Sequence, residues 1–189
     1  VGMGSIFEEM GKTLTPSPLF STGVLGSSLI MLGGDENQKQ KYLPQIVEGN
    51  LTTALALEEN SRHSPFSIKT LAKKEGSSFK ISGNKTFVID GHSSNLLIVA
   101  ARTGGSEADV SGITLFLVDS DADGVEIKKT SMVDSRNSAN IQFNETIVPA
   151  SNILGEENNG SGILEEVLDR AQIVISAEML GNASKAFEI

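Results

Sequence analysis

The sequence predicts an α+β multidomain protein: a helical N-terminal part, a small antiparallel β-barrel or sandwich in the middle, and the start of a C-terminal helical bundle. Apolar residues recur at helical spacing before residue 50 and again after residue 160. Between these regions, short β-branched and apolar segments are separated by Gly, Asn and Asp turns. The predicted domains are 1–50, 51–152 and 153–189, the last comprising a linker and a first helix.

Composition and charge exclude several functional classes. The chain has 39% hydrophobic and 21% charged residues, which is typical of globular proteins. It has no Cys and only two His, which excludes disulfides, thiolate metal sites and cysteine nucleophiles and argues against a histidine-rich metal centre. A net charge of −9 argues against nucleic-acid binding. No apolar run approaches the ~20 residues of a membrane span, so we expect a cytoplasmic protein.

Three helices are predicted in the first fifty residues. Ile6, Met10 and Leu14 recur at helical spacing, and Pro16 and Pro18 break that helix, because proline lacks the amide donor.

The second predicted helix, over 20–32, carries apolar and small residues all round, which indicates that it is buried. Gly33 ends it. The third helix begins at Asp35, with Gln38 as its capping-box partner, and ends at Gly49.

The β region is predicted from short segments between turn signals. Strands this short, punctuated by Gly, Asn and Asp, are typical of antiparallel hairpins. The predicted segments are Thr52–Leu57, Lys69–Lys74, Ser78–Ser82, Thr86–Ile89, Leu96–Ala101, Gly112–Val118, Gly124–Lys129 and Ala139–Val148. Their number and spacing favour a barrel or sandwich.

Several runs resemble the acyl-CoA dehydrogenase family in order and spacing. The lead into the family's flavin domain is matched by LGGDENQKQKYLPQIVEGN, and its NGxKxxITNG hairpin by GNKTFVIDG. The exit from that domain is matched by IQFNETIVPASNILGEENNG, and the first helix of the C-terminal four-helix domain by LDRAQIVISAEMLGNASKAFE. We therefore expect a piece of a longer protein of this family.

The resemblance implies FAD-dependent α,β-desaturation of an acyl-CoA thioester in fatty acid β-oxidation. Electrons would pass to electron-transferring flavoprotein, and the protein would be a homo- or heterotetramer. The family's catalytic carboxylate takes the pro-R α-proton while hydride passes to flavin N5. In most members it lies in a part of the protein beyond Ile189, and in a minority at the position of Ala171. No catalytic base is therefore assigned in these residues. Asp169, two residues from Ala171, is only a weak candidate for that role.

The resemblance also implies which residues hold the cofactor. Six are expected beside FAD: Leu55, Leu57, Glu58, Phe87, Val88 and Ile89. Leu57 and Ile89 stand where the family has threonines that hydrogen-bond the flavin, and neither side chain can donate. Backbone amides along 55–58 would take that role. The alternative is that Leu57, Phe87 and Ile89 are core residues.

Three further residues are candidates for substrate binding. His63 stands where the family has a Ser that contacts the CoA arm near its pyrophosphate; the alternative is a solvated loop residue. Asp169 aligns with an acid that contacts substrate or CoA, and Gln172 falls where many members have Arg. The alternative for this helix position is a solvent-facing residue.

Two other functions compete with the dehydrogenase. A non-catalytic partner subunit of a mixed oligomer would tolerate the loss of both threonines, and also of the Gly-rich loop that is here ENSRHSPFS. A reduced-flavin monooxygenase would keep the fold without the CoA pocket. An acyl-CoA oxidase is a nearer variant of the dehydrogenase.

Overall fold

Helices lie at both ends of the chain and strands occupy its middle. The computed structural model describes residues 2–134 and 136–188. Its helices are α1 (Gly2–Thr13), a π-helical segment (Leu19–Gly26), α2 (Ser27–Gly33), α3 (Glu36–Val47) and α4 (Ser161–Phe187). Over the described ranges, none of the helices has the length and apolarity needed to cross a membrane.

The strands between these helices are β1 (Thr53–Ala56), β2 (Leu71–Glu75), β3 (Ser78–Ile89), β4 (Leu96–Arg102), β5 (Ile113–Asp119), β6 (Val125–Thr130), β7 (Ser138–Pro149) and β8 (Ile153–Leu154). They form one sheet in the order β6-β7-β3-β2-β4-β5-β8, and β1 also pairs with β4. The helix–sheet–helix order confirms the predicted α+β class.

The helix boundaries follow the predicted signals. Helix α1 ends before Pro16 and Pro18. At the start of α3, the Asp35 carboxylate accepts a hydrogen bond from the Gln38 amide at 2.7 Å, and the Gln38 side chain accepts one from the Asp35 amide at 3.1 Å. This is the predicted capping box.

The predicted helix over 20–32 begins as a π-helical segment that packs tightly on β1. A Cβ atom on Gly26 would overlap the Thr53 side chain, so the two backbones approach closely. The Thr22 hydroxyl accepts from the Thr53 amide at 2.9 Å and donates to the Thr53 carbonyl at 3.2 Å. This hydroxyl therefore satisfies backbone groups of β1 as a neighbouring strand would. π-Helical turns are rare and often occur at functional sites.

The strand pairings differ from the prediction at two places. Strand β1 runs parallel to β4, and β2 meets β4 in one parallel pair. The prediction of antiparallel hairpins therefore does not hold for β1, whose chain leaves through a long loop before returning. The segments predicted over 78–82 and 86–89 form one strand, β3, in which Gly83 lies at a register shift and not in a turn.

The sheet separates two apolar cores. Strands β4 and β5 are buried on both faces, apart from the exposed last residue of β5. Their sequences are therefore nearly continuous apolar runs rather than alternating ones. One core lies inside the folded sheet around Phe79, Phe116 and Phe143. The other lies between the sheet and the helices, around Leu29 and Leu117.

Helix α4 is held against α1 by close backbone contact. A Cβ atom on Gly11 would overlap the Glu178 carbonyl, and one on Gly181 would overlap the Glu8 carbonyl. Glycine at both positions allows the two helices to touch. The first half of α4 contributes Leu164, Val167 and Ala171 to the core that it shares with the sheet.

Candidate cofactor and substrate site

An apolar cleft of about 290 Å³ lies where the sheet meets the helices. This volume is at the lower end of the range for small-molecule pockets. The π-helical segment contributes Phe20 and Leu25 to the lining, and α4 contributes Leu168, Ala171, Gln172 and Ile175. The rest comes from β1, the loop that follows it and the end of β3, so we call it the β1–β3 cleft.

The β1–β3 cleft brings together most of the residues singled out in the sequence. The predicted residues in its lining are Leu55, Leu57, Glu58, His63, Phe87, Ile89 and Gln172. Ala171, where a minority of the family has its catalytic acid according to the resemblance, also lines the cleft. Residues far apart in sequence thus share one surface.

A bulge in β3 turns Phe87 and Ile89 toward this cleft. The pairing of β3 with β7 shifts register between Lys85 and Val88, and Phe87 has a φ of +50°. Without the extra residue, strict alternation would bury Phe87 and Ile89 with Ile81. Instead Phe87 is 49% and Ile89 43% exposed, so these two are not core residues.

Leu55 and Leu57, by contrast, are buried as well as cleft-lining. Both belong to the core between sheet and helices and are at most 9% exposed. Their cleft-facing surface is apolar. The strand pairing of β1 ends at Ala56, so the peptide groups of Leu57 and Glu58 follow the last paired residue.

The Glu58 carboxylate at the cleft rim binds two residues of the loop that follows β1. Glu58 accepts from the Ser64 amide at 3.1 Å, and its other oxygen lies 2.6 Å from His63 Nδ1. The His63 side chain is 68% exposed. Within the described residues, the carboxylate and imidazole that line the cleft are thus bonded to each other.

A buried ion pair lies beneath the cleft. The Lys85 ammonium, which is 0% exposed, donates to Glu59 Oε1 at 2.7 Å and to the Leu57 carbonyl at 3.0 Å. The Glu59 carboxylate also accepts from the backbone amides of Lys69 at 2.7 Å and Thr70 at 2.9 Å. The pair therefore ties together β3, the end of β1 and the start of β2.

Both members of this pair are charged at neutral pH. Burial lowers the pKa of Lys85 to about 8, although the Glu59 carboxylate opposes the shift. Burial by itself would raise the pKa of Glu59, but the Lys85 ammonium and the Thr70 amide outweigh it, so the pKa of Glu59 is lowered. A buried charge pair of this kind is costly to break on one side.

A second cavity, of about 420 Å³, adjoins the first. It lies between α1, α4 and the end of β3, and shares Phe20 and Ile89 with the β1–β3 cleft. Its polar lining includes Arg136, which is paired with Glu178.

Two predicted site residues lie elsewhere. The Val88 side chain is 1% exposed and packs inside the sheet. Asp169 is exposed on α4 and is not part of the lining.

The sequence interpretation also missed two residues, Lys85 and Glu59. An available signal was the position of Lys85 on the inward face of β3 together with Phe79 and Ile81. A lysine at such a position requires a buried partner.

Fold and cleft together define a class: a helical and β-sheet protein with an apolar cleft at the junction of its sheet and helices. The chain belongs to the acyl-CoA dehydrogenase family, which confirms the resemblance seen in the sequence. The family's N-terminal domain model matches residues 1–50, and its middle domain model matches residues 54–146.

Two relatives illustrate this similarity. The chain is 36% identical over 157 residues to isovaleryl-CoA dehydrogenase, mitochondrial, of Pongo abelii, covering 80% of this chain and 37% of the relative. It is also 36% identical over 187 residues to cyclohexane-1-carbonyl-CoA dehydrogenase of Geobacter metallireducens, covering 96% of this chain and 48% of the relative.

The fold agrees with solved structures of the family. Butyryl-CoA dehydrogenase from Megasphaera elsdenii superposes with a TM-score of 0.86 at 31% identity, covering 95% of this chain and 49% of that one. The chain thus spans half or less of the length of these proteins.

Proposed function

We propose that this chain forms part of the FAD and acyl-CoA site of an acyl-CoA dehydrogenase, an oxidoreductase that desaturates an acyl-CoA thioester between its α and β carbons. The observation that carries the proposal is the β1–β3 cleft, where Leu57, Phe87 and Ile89 form one apolar wall. Family membership supplies the reaction class. The site supplies the surface on which it would take place.

The wall of this cleft fits the ring system of a flavin. A half-exposed phenylalanine ring beside branched aliphatic side chains offers an apolar face to a planar aromatic ligand. Leu57 and Ile89 bring no hydrogen-bond donors, so the ring's polar edge would depend on backbone amides. The peptide groups of Leu57 and Glu58, just beyond the paired part of β1, would serve as these donors.

The residues predicted to hold FAD would contribute in different ways. Leu55, Leu57, Phe87 and Ile89 would contact the flavin ring and exclude water. Val88 would contribute only its backbone, since its side chain is buried away from the cleft. When bound, FAD supplies the acceptor for the two electrons that leave the substrate.

The substrate would enter from the α4 side of the cleft. Gln172 at the rim is a neutral donor and acceptor for the thioester or the CoA arm. His63 is exposed at the loop, where it would meet an anionic phosphate of CoA. Asp169, outside the lining, would contact only the outer part of CoA.

In this proposal the proton acceptor does not come from the cleft. Glu58 is engaged by His63 and the Ser64 amide, and Ala171 has no titratable group. The base that removes the α-proton would therefore come from another part of the protein. We further propose electron-transferring flavoprotein as the electron acceptor and a homo- or heterotetramer as the assembly.

One observation favours a second function, a non-catalytic partner subunit in a mixed oligomer. Two aliphatic side chains stand at the positions where the family resemblance expects hydroxyl donors to flavin. In that case the cleft would be kept for packing, and the partner would carry the flavin. The same aliphatic residues do not distinguish the dehydrogenase from a reduced-flavin monooxygenase or an acyl-CoA oxidase.

The visible absorption spectrum of the purified full-length protein tests the proposal. We expect a flavin band corresponding to about one FAD per subunit after denaturation, and bleaching of that band by an acyl-CoA. Absence of flavin even after FAD is added would contradict the proposal and leave the partner-subunit function. A flavin that is reduced by NAD(P)H-dependent reductases but not by any acyl-CoA would favour the monooxygenase.

A further inference from the structure

The buried ion pair beneath the cleft contacts the backbone that forms the cleft wall. The Lys85 ammonium donates at 3.0 Å to the carbonyl of Leu57, whose side chain lines the cleft. The next residue of β3, Thr86, donates its amide to the Glu58 carbonyl at 2.8 Å. Two successive carbonyls after β1 are therefore held by two successive residues of β3.

These contacts determine the orientation of the peptide groups between them. In a planar trans peptide, the carbonyl of one residue and the N–H of the next point in opposite directions. Because the Leu57 carbonyl points at Lys85, the Glu58 N–H points away from it. Lys85 is fully buried and does not line the cleft, whereas Leu57 and Glu58 do, so the N–H directed away from Lys85 is the one available to the cleft.

Lys85 is itself held firmly in place. Glu59 accepts from it at 2.7 Å and is in turn fixed by the backbone amides of Lys69 and Thr70. The ammonium therefore has two acceptors in the described structure, one a side chain and one a backbone carbonyl. The backbone contact is the one that a simple charge pair would not require.

We propose that Lys85 is a positioning residue of the cofactor site: its ammonium holds the Leu57 carbonyl so that the Glu58 N–H points into the cleft and donates to a polar atom of the flavin ring. This inference rests on the proposed function. It also explains how a cleft with Leu57 and Ile89 in its wall retains a hydrogen-bond donor for a flavin, because the donor is a backbone amide.

The test compares three forms of the full-length protein. The double variant Lys85→Met/Glu59→Gln removes both buried charges, so neither is left without a partner. Lys80→Met is the matched control, because Lys80 lies on the same strand and pairs at the surface with Glu75 at 3.2 Å. FAD affinity and the absorption maximum of the bound flavin are measured together with hydrogen exchange of peptides covering 55–60.

We expect the double variant to bind FAD roughly tenfold more weakly, with a shifted absorption maximum, because one oriented donor is lost. Exchange over 55–60 should be faster in the double variant, and unchanged in Lys80→Met. In the wild-type protein, added FAD should slow exchange in the same peptides, a measurement that requires no variant to fold.

The outcomes separate the two proposals. A wild-type protein that binds no FAD contradicts the proposed function, while exchange over 55–60 in the FAD-free forms still tests whether Lys85 orients this segment. A folded double variant with wild-type exchange, FAD affinity and flavin spectrum would overturn the role of Lys85. Exchange over 55–60 that FAD leaves unchanged in a wild-type protein that does bind it would also overturn the assignment of the Glu58 amide.

Discussion

The wall of the β1–β3 cleft and the ion pair beneath it come from the same two parts of the chain, but their chemistry is opposite. Leu57 and Ile89 meet the cleft with aliphatic side chains. Behind them, Lys85 and Glu59 are bonded to each other and to three backbone groups. The buried charges of Lys85 and Glu59 thus lie under the aliphatic wall rather than on it.

This difference indicates how the site tolerates change. An apolar surface accepts substitutions of similar shape at small cost, because its contacts are not directional. A buried charge pair does not, because each group depends on a partner at hydrogen-bonding distance. We therefore expect variants of the buried pair to change stability strongly and variants of the wall to change mainly ligand binding.

The largest effect is expected for Lys85→Met. Removing one partner leaves the Glu59 carboxylate buried without its ammonium, and we expect a loss of about 3–5 kcal/mol in the free energy of unfolding. The double variant Lys85→Met/Glu59→Gln should recover most of that loss. Urea denaturation monitored by circular dichroism measures both. The free energy of unfolding of Lys80→Met should stay within about 0.5 kcal/mol of the wild-type value. A loss in Lys80→Met equal to that in Lys85→Met would contradict the special dependence of the buried pair on its partner.

A smaller effect is expected from pH. The pKa of Glu59 in the folded protein lies below its usual value of 4.5, so its contribution to stability is present above about pH 4.5 and is lost as the pH falls through the folded-state pKa. The difference in free energy of unfolding between the wild type and Glu59→Gln should therefore be larger at pH 7 than at pH 3.5.

The control for this pH effect is Glu145→Gln. Glu145 has a side chain that is 75% exposed, 3.8 Å from Lys80, so its replacement should produce a small difference at either pH. A difference for Glu59→Gln that does not shrink in acid would contradict the lowered pKa.

The smallest effect on stability is expected in the cleft wall. Ile89→Thr places a hydroxyl at a position that is 43% exposed, so the free energy of unfolding should change by no more than about 0.5 kcal/mol. If the wall faces flavin, the added donor should strengthen FAD binding by roughly fivefold. Fluorescence titration measures the affinity.

Ile147→Thr is the matched control, since Ile147 lies on β7, is 54% exposed and is outside the cleft lining. It should leave FAD affinity unchanged. An equal change in both variants would show that the wall has no special relation to the ligand.

Much of the fold was predictable because its signals are local. The prolines after α1, the capping box at Asp35 and the apolar run of β4 each act within a few residues of where they stand. The family could likewise be identified from ordered motifs, and the comparisons confirm it. Gathering Leu57, Phe87 and Gln172 around one ligand was an expectation from that resemblance.

Other features were not predictable because they depend on distant partners. The bulge between Lys85 and Val88 exists only in the pairing of β3 with β7, and it reverses which residues face inward. The parallel pairing of β1 requires β4, which lies some forty residues further along the chain. The Thr22 hydroxyl, also distant in sequence, bonds the amide and carbonyl of Thr53 in β1. No local propensity encodes either arrangement.

The alternation of helical and strand regions, the exclusion of cysteine chemistry and the family follow from residue types and their spacing along the chain. That Phe87 and Ile89 face a cleft and that Lys85 holds the Leu57 carbonyl follows only from the packing of distant segments. A side chain's environment depends on the strand beside it, which the neighbouring residues do not specify. The same lysine would be an ordinary surface charge if β3 kept a different register.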